Sequence, residues 1–81
     1  MLITTKLFAR LREISGKSEL RVERPEGTDA ASLWSELIRE YPGLAPYTGS
    51  VSCAINEEYA RLSTPLKEGD EIAFLPPVSG G

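Results

Sequence analysis

Ala30, Leu33, Trp34, Leu37, Ile38 and Tyr41 recur at spacings of three and four residues and make one apolar stripe, with Glu36, Arg39 and Glu40 lying off it. That is the signature of a single amphipathic helix. Thr28 or Asp29 is placed to cap its free N–H groups, and Pro42-Gly43 ends it. No second stripe of this length occurs in the 81 residues. One helix must therefore cover whatever else is apolar, and a helix covers one face of a sheet.

The flanking segments supply that sheet. Residues 2–8 alternate, with Ile3, Thr5 and Leu7 on one side and Leu2, Thr4, Lys6 and Phe8 on the other, as a half-buried strand requires. Ala9 to Ile14 suits a short helical turn that stops at Ser15-Gly16. Leu20 and Val22 then alternate with Arg21 and Glu23 until Pro25, which places this second strand at an edge. Beyond the helix, residues 44–50 read as a loop. Val51, Cys53 and Ile55 alternate with Ser52, Ala54 and Asn56 in a third strand, and Asn56-Glu57-Glu58 turns the chain. Thr64-Pro65 and Glu68-Gly69-Asp70 break it again, before Glu71 to Leu75 puts Ile72 and Phe74 on one face of a fourth strand. The expected class is α+β: a mixed four-stranded sheet, in the order ββαββ, with one main helix on one face. A right-handed crossover through that helix sets the first and last strands side by side and parallel, which is the ubiquitin-like β-grasp arrangement. Residues 1–75 are expected to form that domain and residues 76–81 a flexible tail.

Composition removes several classes of function. Nine Lys and Arg against twelve Asp and Glu give a net charge of −3, which offers no general attraction to nucleic acid or to anionic membranes. No segment approaches the roughly 20 apolar residues of a membrane span, and Met1 to Lys6 lacks the basic and apolar regions of a signal peptide. A cytoplasmic protein with neither nucleic-acid nor membrane partners is expected. The single cysteine, Cys53, permits neither an internal disulfide nor a zinc quartet. With no histidine, the usual acid-base group and the commonest metal ligand are both missing, and no metal site is expected.

The remaining candidates for chemistry read as structure. Glu57-Glu58 and Asp70-Glu71 lie in or beside turns, where carboxylates are solvated, whereas a catalytic dyad needs convergence and desolvation. Cys53 shares the core side of its strand with Val51 and Ile55 and reads as a small buried hydrophobe, not a sulfur relay. Trp34 and Tyr41 sit on the helix stripe. Gly27, Gly43 and Gly69 are dispersed turn glycines and make no phosphate-binding loop.

The last segment is different. Leu75-Pro76-Pro77-Val78-Ser79-Gly80-Gly81 leaves a strand, stiffens through two prolines and finishes in two residues without side chains. Such a segment can enter a narrow site and present an unhindered acyl carbon. A frayed terminus accounts for Gly-Gly alone but accounts poorly for the prolines before it.

Over nearly its whole length the sequence resembles the small subunits of molybdopterin synthase, the sulfur carriers of molybdenum-cofactor biosynthesis. The resemblance rests on Phe8-Ala9-Arg10-Leu11-Arg12-Glu13, on Ala54-Ile55-Asn56, and above all on Gly69-Asp70-Glu71-Ile72-Ala73-Phe74-Leu75-Pro76-Pro77-Val78-Ser79-Gly80-Gly81. It implies that Gly81 is the reacting residue, adenylated by an activating enzyme related to the ubiquitin-activating family and then converted to a thiocarboxylate with sulfur from a donor. ATP and magnesium belong to that enzyme, and this chain is expected to bind no cofactor of its own. Pro76, Pro77, Val78, Ser79 and Gly80 would insert with Gly81 into the large synthase subunit. There sulfur passes to cyclic pyranopterin monophosphate, two carriers' worth for each dithiolene, in an assembly of two large and two small subunits.

A carrier of this kind needs a dock. Phe8 and Leu75 fall opposite the core faces of the first and last strands, and by resemblance Tyr59 occupies a third contact position, where an aliphatic residue is the expectation. Arg12 is expected to add a polar contact. Two other readings stay open: a related carrier for thiazole synthesis or transfer-RNA thiolation, and a ubiquitin-like modifier conjugated through Gly81.

Overall fold

The computed structural model describes residues 1–77. The chain runs β1 (Leu2–Leu7), α1 (Ala9–Ser15), β2 (Glu19–Glu23), α2 (Ala30–Glu40), a 3₁₀ segment (Pro42–Tyr47), β3 (Ser52–Ile55), β4 (Glu58–Ala60) and β5 (Glu71–Leu75). The strands form one mixed sheet in the order β2-β1-β5-β3-β4. As the right-handed crossover predicts, β1 and β5 lie parallel at its centre, with Thr5 opposite Ile72 and Leu7 opposite Phe74. Every other neighbouring pair is antiparallel.

Period-2 burial along β1 and β5 delivers Ile3, Leu7, Ile72 and Phe74 to the same side, where each is at most 1% exposed. The stripe of α2 lies over them, burying Ala30, Leu33, Trp34 and Leu37. Trp34 meets Phe74 at a ring-centroid distance of 5.1 Å and an interplanar angle of 48°. Its indole N–H donates to Thr48 Oγ1 at 3.1 Å, so this large side chain is buried without an orphaned donor. Asp29, not Thr28, caps the helix, accepting the Ser32 N–H at 2.8 Å. The Ala30 and Ala31 N–H groups donate to the carbonyls of Thr64 and Leu62. The first turn of α2 is thus satisfied by the chain itself.

The structure corrects two expectations. The sheet has five strands, not four, because Glu58–Ala60 forms the extra edge strand β4 against β3. The turn before it occupies only Asn56 and Glu57, both at positive φ (51° and 71°), with Ile55 paired to Glu58. Two central residues at positive φ match the right-handed twist of a two-residue hairpin. Glutamate is an unusual occupant of the second position, which hid the hairpin. In addition, residues 44–50 are not all loop: the 3₁₀ segment extends to Tyr47 and seals one end of the core with Leu44, which is 0% exposed. Gly43 permits the close approach, since a Cβ there would sit 2.8 Å from Ile14 Cγ2 on α1.

Candidate docking face and tail

With α2 on one face, no helix among the described residues lies over the other face of the sheet. Its residues follow from the pleat. Leu7 points to the core, and the extended backbone of Phe8 (φ −116°, ψ 155°) carries the alternation one residue further, so Phe8 emerges on the open face, 42% exposed. Phe74 points inward, and Leu75 therefore points outward, half-buried beside Ser52. Because Leu7 is paired with Phe74, Phe8 and Leu75 come out at the same level on adjacent strands.

Tyr59 reaches this face through β4. It lies opposite Ala54, which lies opposite Ala73, which in turn lies opposite Lys6. Tyr59, 80% exposed, thus stands two strands, or about 10 Å, from the β5 strand that carries Leu75. Two alanines and Ser52 keep the floor between them low. Lys6 pairs with Glu71 at 3.3 Å on the same face. Arg12 is exposed on α1, one helical turn beyond Phe8 and outside the sheet, and among the described residues it forms no ion pair. The fold therefore gathers Phe8, Leu75 and Tyr59 on one face and sets Arg12 beside it. Lys6, Ala54 and Ala73 belong to that face too. Alternation alone could have nominated them once the pairing partners were known.

Beyond β5, Pro76 is half-buried and Pro77 exposed. Val78, Ser79, Gly80 and Gly81 lie outside the described residues.

The groups set aside from chemistry have structural surroundings. Cys53 is fully buried, with Sγ 3.4 Å from the Ala60 carbonyl oxygen, and burial pushes its thiol pKa up and away from the reactive thiolate. Asp70 accepts the Lys67 N–H and the Asn56 side-chain amide. Among the described residues, no group of three or more Cys, Asp or Glu could hold a metal ion.

The sequence itself matches the ThiS family over residues 5–81, through both final glycines. This chain belongs to the ThiS family. A protein from Mycobacterium tuberculosis named molybdopterin synthase sulfur carrier subunit is 45% identical over 75 residues, which cover 91% of this chain and 90% of that one. Among solved structures, SAMP1 from Haloferax volcanii has a TM-score of 0.86 and 29% identity, each chain covered to 100%. A chain from the complex of subunits 1 and 2 of the molybdopterin-converting factor of Helicobacter pylori 26695 has a TM-score of 0.69 and 29% identity, again with 100% of both chains covered. No helix in the described part of this ThiS-family chain is long and apolar enough to cross a membrane.

Proposed function

We propose that this chain is the sulfur carrier subunit of a molybdopterin synthase and works in the cytoplasm. The observation that carries the reading is the family match running through Gly81, joined to a relative of that name at 45% identity. Gly81 supplies the reacting carboxylate. Its oxygen attacks the α-phosphate of ATP on the activating enzyme, pyrophosphate leaves, and the carboxylate becomes an acyl adenylate. Displacement of AMP by sulfur from the donor leaves a thiocarboxylate, whose sulfur goes to cyclic pyranopterin monophosphate in the large subunit.

Each step demands little of this chain beyond presentation. A glycine acyl carbon is unhindered, Gly80 adds no bulk behind it, and Pro76 and Pro77 favour an extended approach. ATP and magnesium stay with the activating enzyme, so the chain is a non-catalytic partner. Phe8, Leu75 and Tyr59 form the dock that holds the large subunit while residues 76–81 enter its active site, with Arg12 at the margin. Apolar side chains around a low floor suit an interface core. The Helicobacter pylori complex of subunits 1 and 2 supports a large-subunit partner. The assembly proposed for this chain has two large and two small subunits, as the family resemblance implies.

Intact mass measured after incubation with the activating enzyme, magnesium-ATP and a sulfur source tests the reading directly. The oxygen-to-sulfur increase is expected on the full chain and absent from a chain lacking Gly81; no increase on the full chain would refute the carrier role. A second reading has specific support in the likeness to SAMP1, the small archaeal modifier protein 1. Covalent adducts between Gly81 and lysines of cellular proteins would establish it.

A further inference from the structure

On the far side of the sheet from Tyr59, β2 is the outermost strand, and among the described residues it pairs only with β1. The hydrogen bonding fixes which of its backbone groups are free. Met1 and Arg24 exchange bonds of 2.7 and 2.8 Å, and Leu7 donates to the Ser18 carbonyl at 3.0 Å. Stepping by two residues along this antiparallel ladder, Val22 and Leu20 turn their backbone groups towards β1. Glu19, Arg21 and Glu23 therefore direct theirs outward, at the spacing an added strand would use; the Glu23 carbonyl already accepts the Arg24 Nε–H at 2.6 Å, a bond that an added strand has to displace or share.

Beside this edge runs a groove of about 250 Å³ between β2 and α2, floored by Leu20, Val22, Leu33 and Leu37 and rimmed on α2 by Glu36 and Glu40. Arg24 crosses to Glu36 at 3.4 Å. Glu23 lies 3.6 Å from the N-terminal ammonium and is otherwise solvent-facing.

We propose that this edge and groove form a second interaction surface, which takes an extended peptide segment of a partner protein as a sixth strand. Its chemistry follows from the pairing. Residues opposite Glu19, Arg21 and Glu23 share their face of the sheet, and the complementary charges there are basic, acidic and basic. The two intervening side chains point to the α2 side, over Leu20 and Val22, and have to be apolar. The segment thus reads basic-apolar-acidic-apolar-basic, with main-chain bonds supplying affinity and the alternate side chains specificity.

A second copy of this chain fits less well. Two-fold antiparallel pairing centred on Arg21 sets Arg21 against Arg21 and Glu19 against Glu23. A two-residue shift restores opposite charges between Glu19 and Arg21 but runs the third rung into Lys17, which lies outside the strand. A shift the other way meets Pro25, which has no N–H to donate. Each copy also carries a net charge of −3.

Titrating the full ¹⁵N-labelled chain with a peptide containing Lys-Val-Glu-Ile-Lys, and with its charge-reversed partner Glu-Val-Lys-Ile-Glu, tests the proposal. The first peptide is expected to shift and protect the amides of Glu19, Arg21 and Glu23, and the reversed one to bind about tenfold more weakly. In an Arg21→Glu chain, whose exposed substitution leaves the core untouched, a peptide with lysine at the central position should be preferred. No shift at β2 at millimolar peptide, equal binding of both sequences, or shifts confined to Tyr59 and Leu75 would overturn the assignment. A peptide-free chain that dimerises with protection of the β2 amides would overturn it in favour of self-pairing.

Discussion

Asn56 grips Asp70 across 14 residues of chain: its side-chain Nδ2 donates to Asp70 Oδ1 at 2.9 Å, while its Oδ1 accepts the Glu71 N–H at 3.0 Å. The Asn56 backbone N–H also donates to the Glu71 carbonyl at 2.7 Å, and Asp70 Oδ2 accepts the Lys67 N–H at 2.8 Å. One residue therefore fastens the β3–β4 turn to the start of β5, at the end of the strand away from the tail. Asn56 also sits at φ 51°, a conformation asparagine tolerates better than most residues. Replacing it with alanine removes two solvent-exposed hydrogen bonds and leaves a less suitable residue at positive φ. Asn56→Ala is expected to lower stability by about 1–2 kcal/mol in urea unfolding, with sulfur loading of the folded chain unchanged.

Thr5 faces the core from the central strand, fully buried between Leu20 and Ile72, and its Oγ1 has no hydrogen-bond partner among the described residues. A buried hydroxyl without a partner has lost its hydration and gained nothing in exchange. Valine keeps the shape and removes the polar atom. Thr5→Val is expected to stabilise the domain by about 1 kcal/mol, visible in calorimetry as a rise in Tm of about 5 °C.

Acid should weaken the start of α2. The hydrogen bonds from Ser32 to the Asp29 carboxylate lower its pKa from the ordinary 3.8. A carboxyl whose folded-state pKa is depressed contributes stability that is fully present above the unfolded value and is lost as pH falls through the folded value. Asp29→Asn keeps an oxygen for the Ser32 N–H without a titrating charge. The stability difference between wild type and Asp29→Asn should therefore shrink as pH falls below about 4, followed as urea midpoints across the acid range.

Docking and folding should separate at Tyr59. With 80% of its surface exposed, its side chain adds little to the core. At the centre of an interface an aromatic anchor carries more than its share of the binding energy. Tyr59→Ala is expected to leave the thermal transition in place and to weaken binding to the large subunit by about tenfold or more in calorimetric titration. Unchanged affinity would remove Tyr59 from the dock.

The parts of the fold visible in the chain as written are those that a local period specifies. The stripe from Ala30 to Tyr41 and the alternation through Ile3, Thr5 and Leu7 need no distant partner to be recognised, because burial on one side imposes 3.6- or 2-residue repeats. β4 was illegible for the opposite reason. Glu58, Tyr59 and Ala60 carry no run of apolar alternation, and they are a strand only because β3 pairs with them across Asn56 and Glu57. The 3₁₀ segment was hidden as well: Pro42, Gly43 and Pro46 all read as breakers, and what holds the turn together is Leu44 finding a place in the core.

The candidate site divides along the same line. The tail chemistry proposed for Gly81 rests on sequence alone, through the two glycines behind two prolines and the resemblance carried by Gly69 to Gly81. Sequence also set which side of each strand Phe8 and Leu75 occupy. The crossover through the helix already implied that the first and last strands are neighbours; only the tertiary structure decided their register, that β4 exists to carry Tyr59, and that Ala54, Ala73 and Ser52 keep the face low between them. The physical reason is that alternation specifies a side chain's face within its own strand, whereas a surface arises from the order and register of strands, settled by long-range pairing and by the single helix that covers the opposite side.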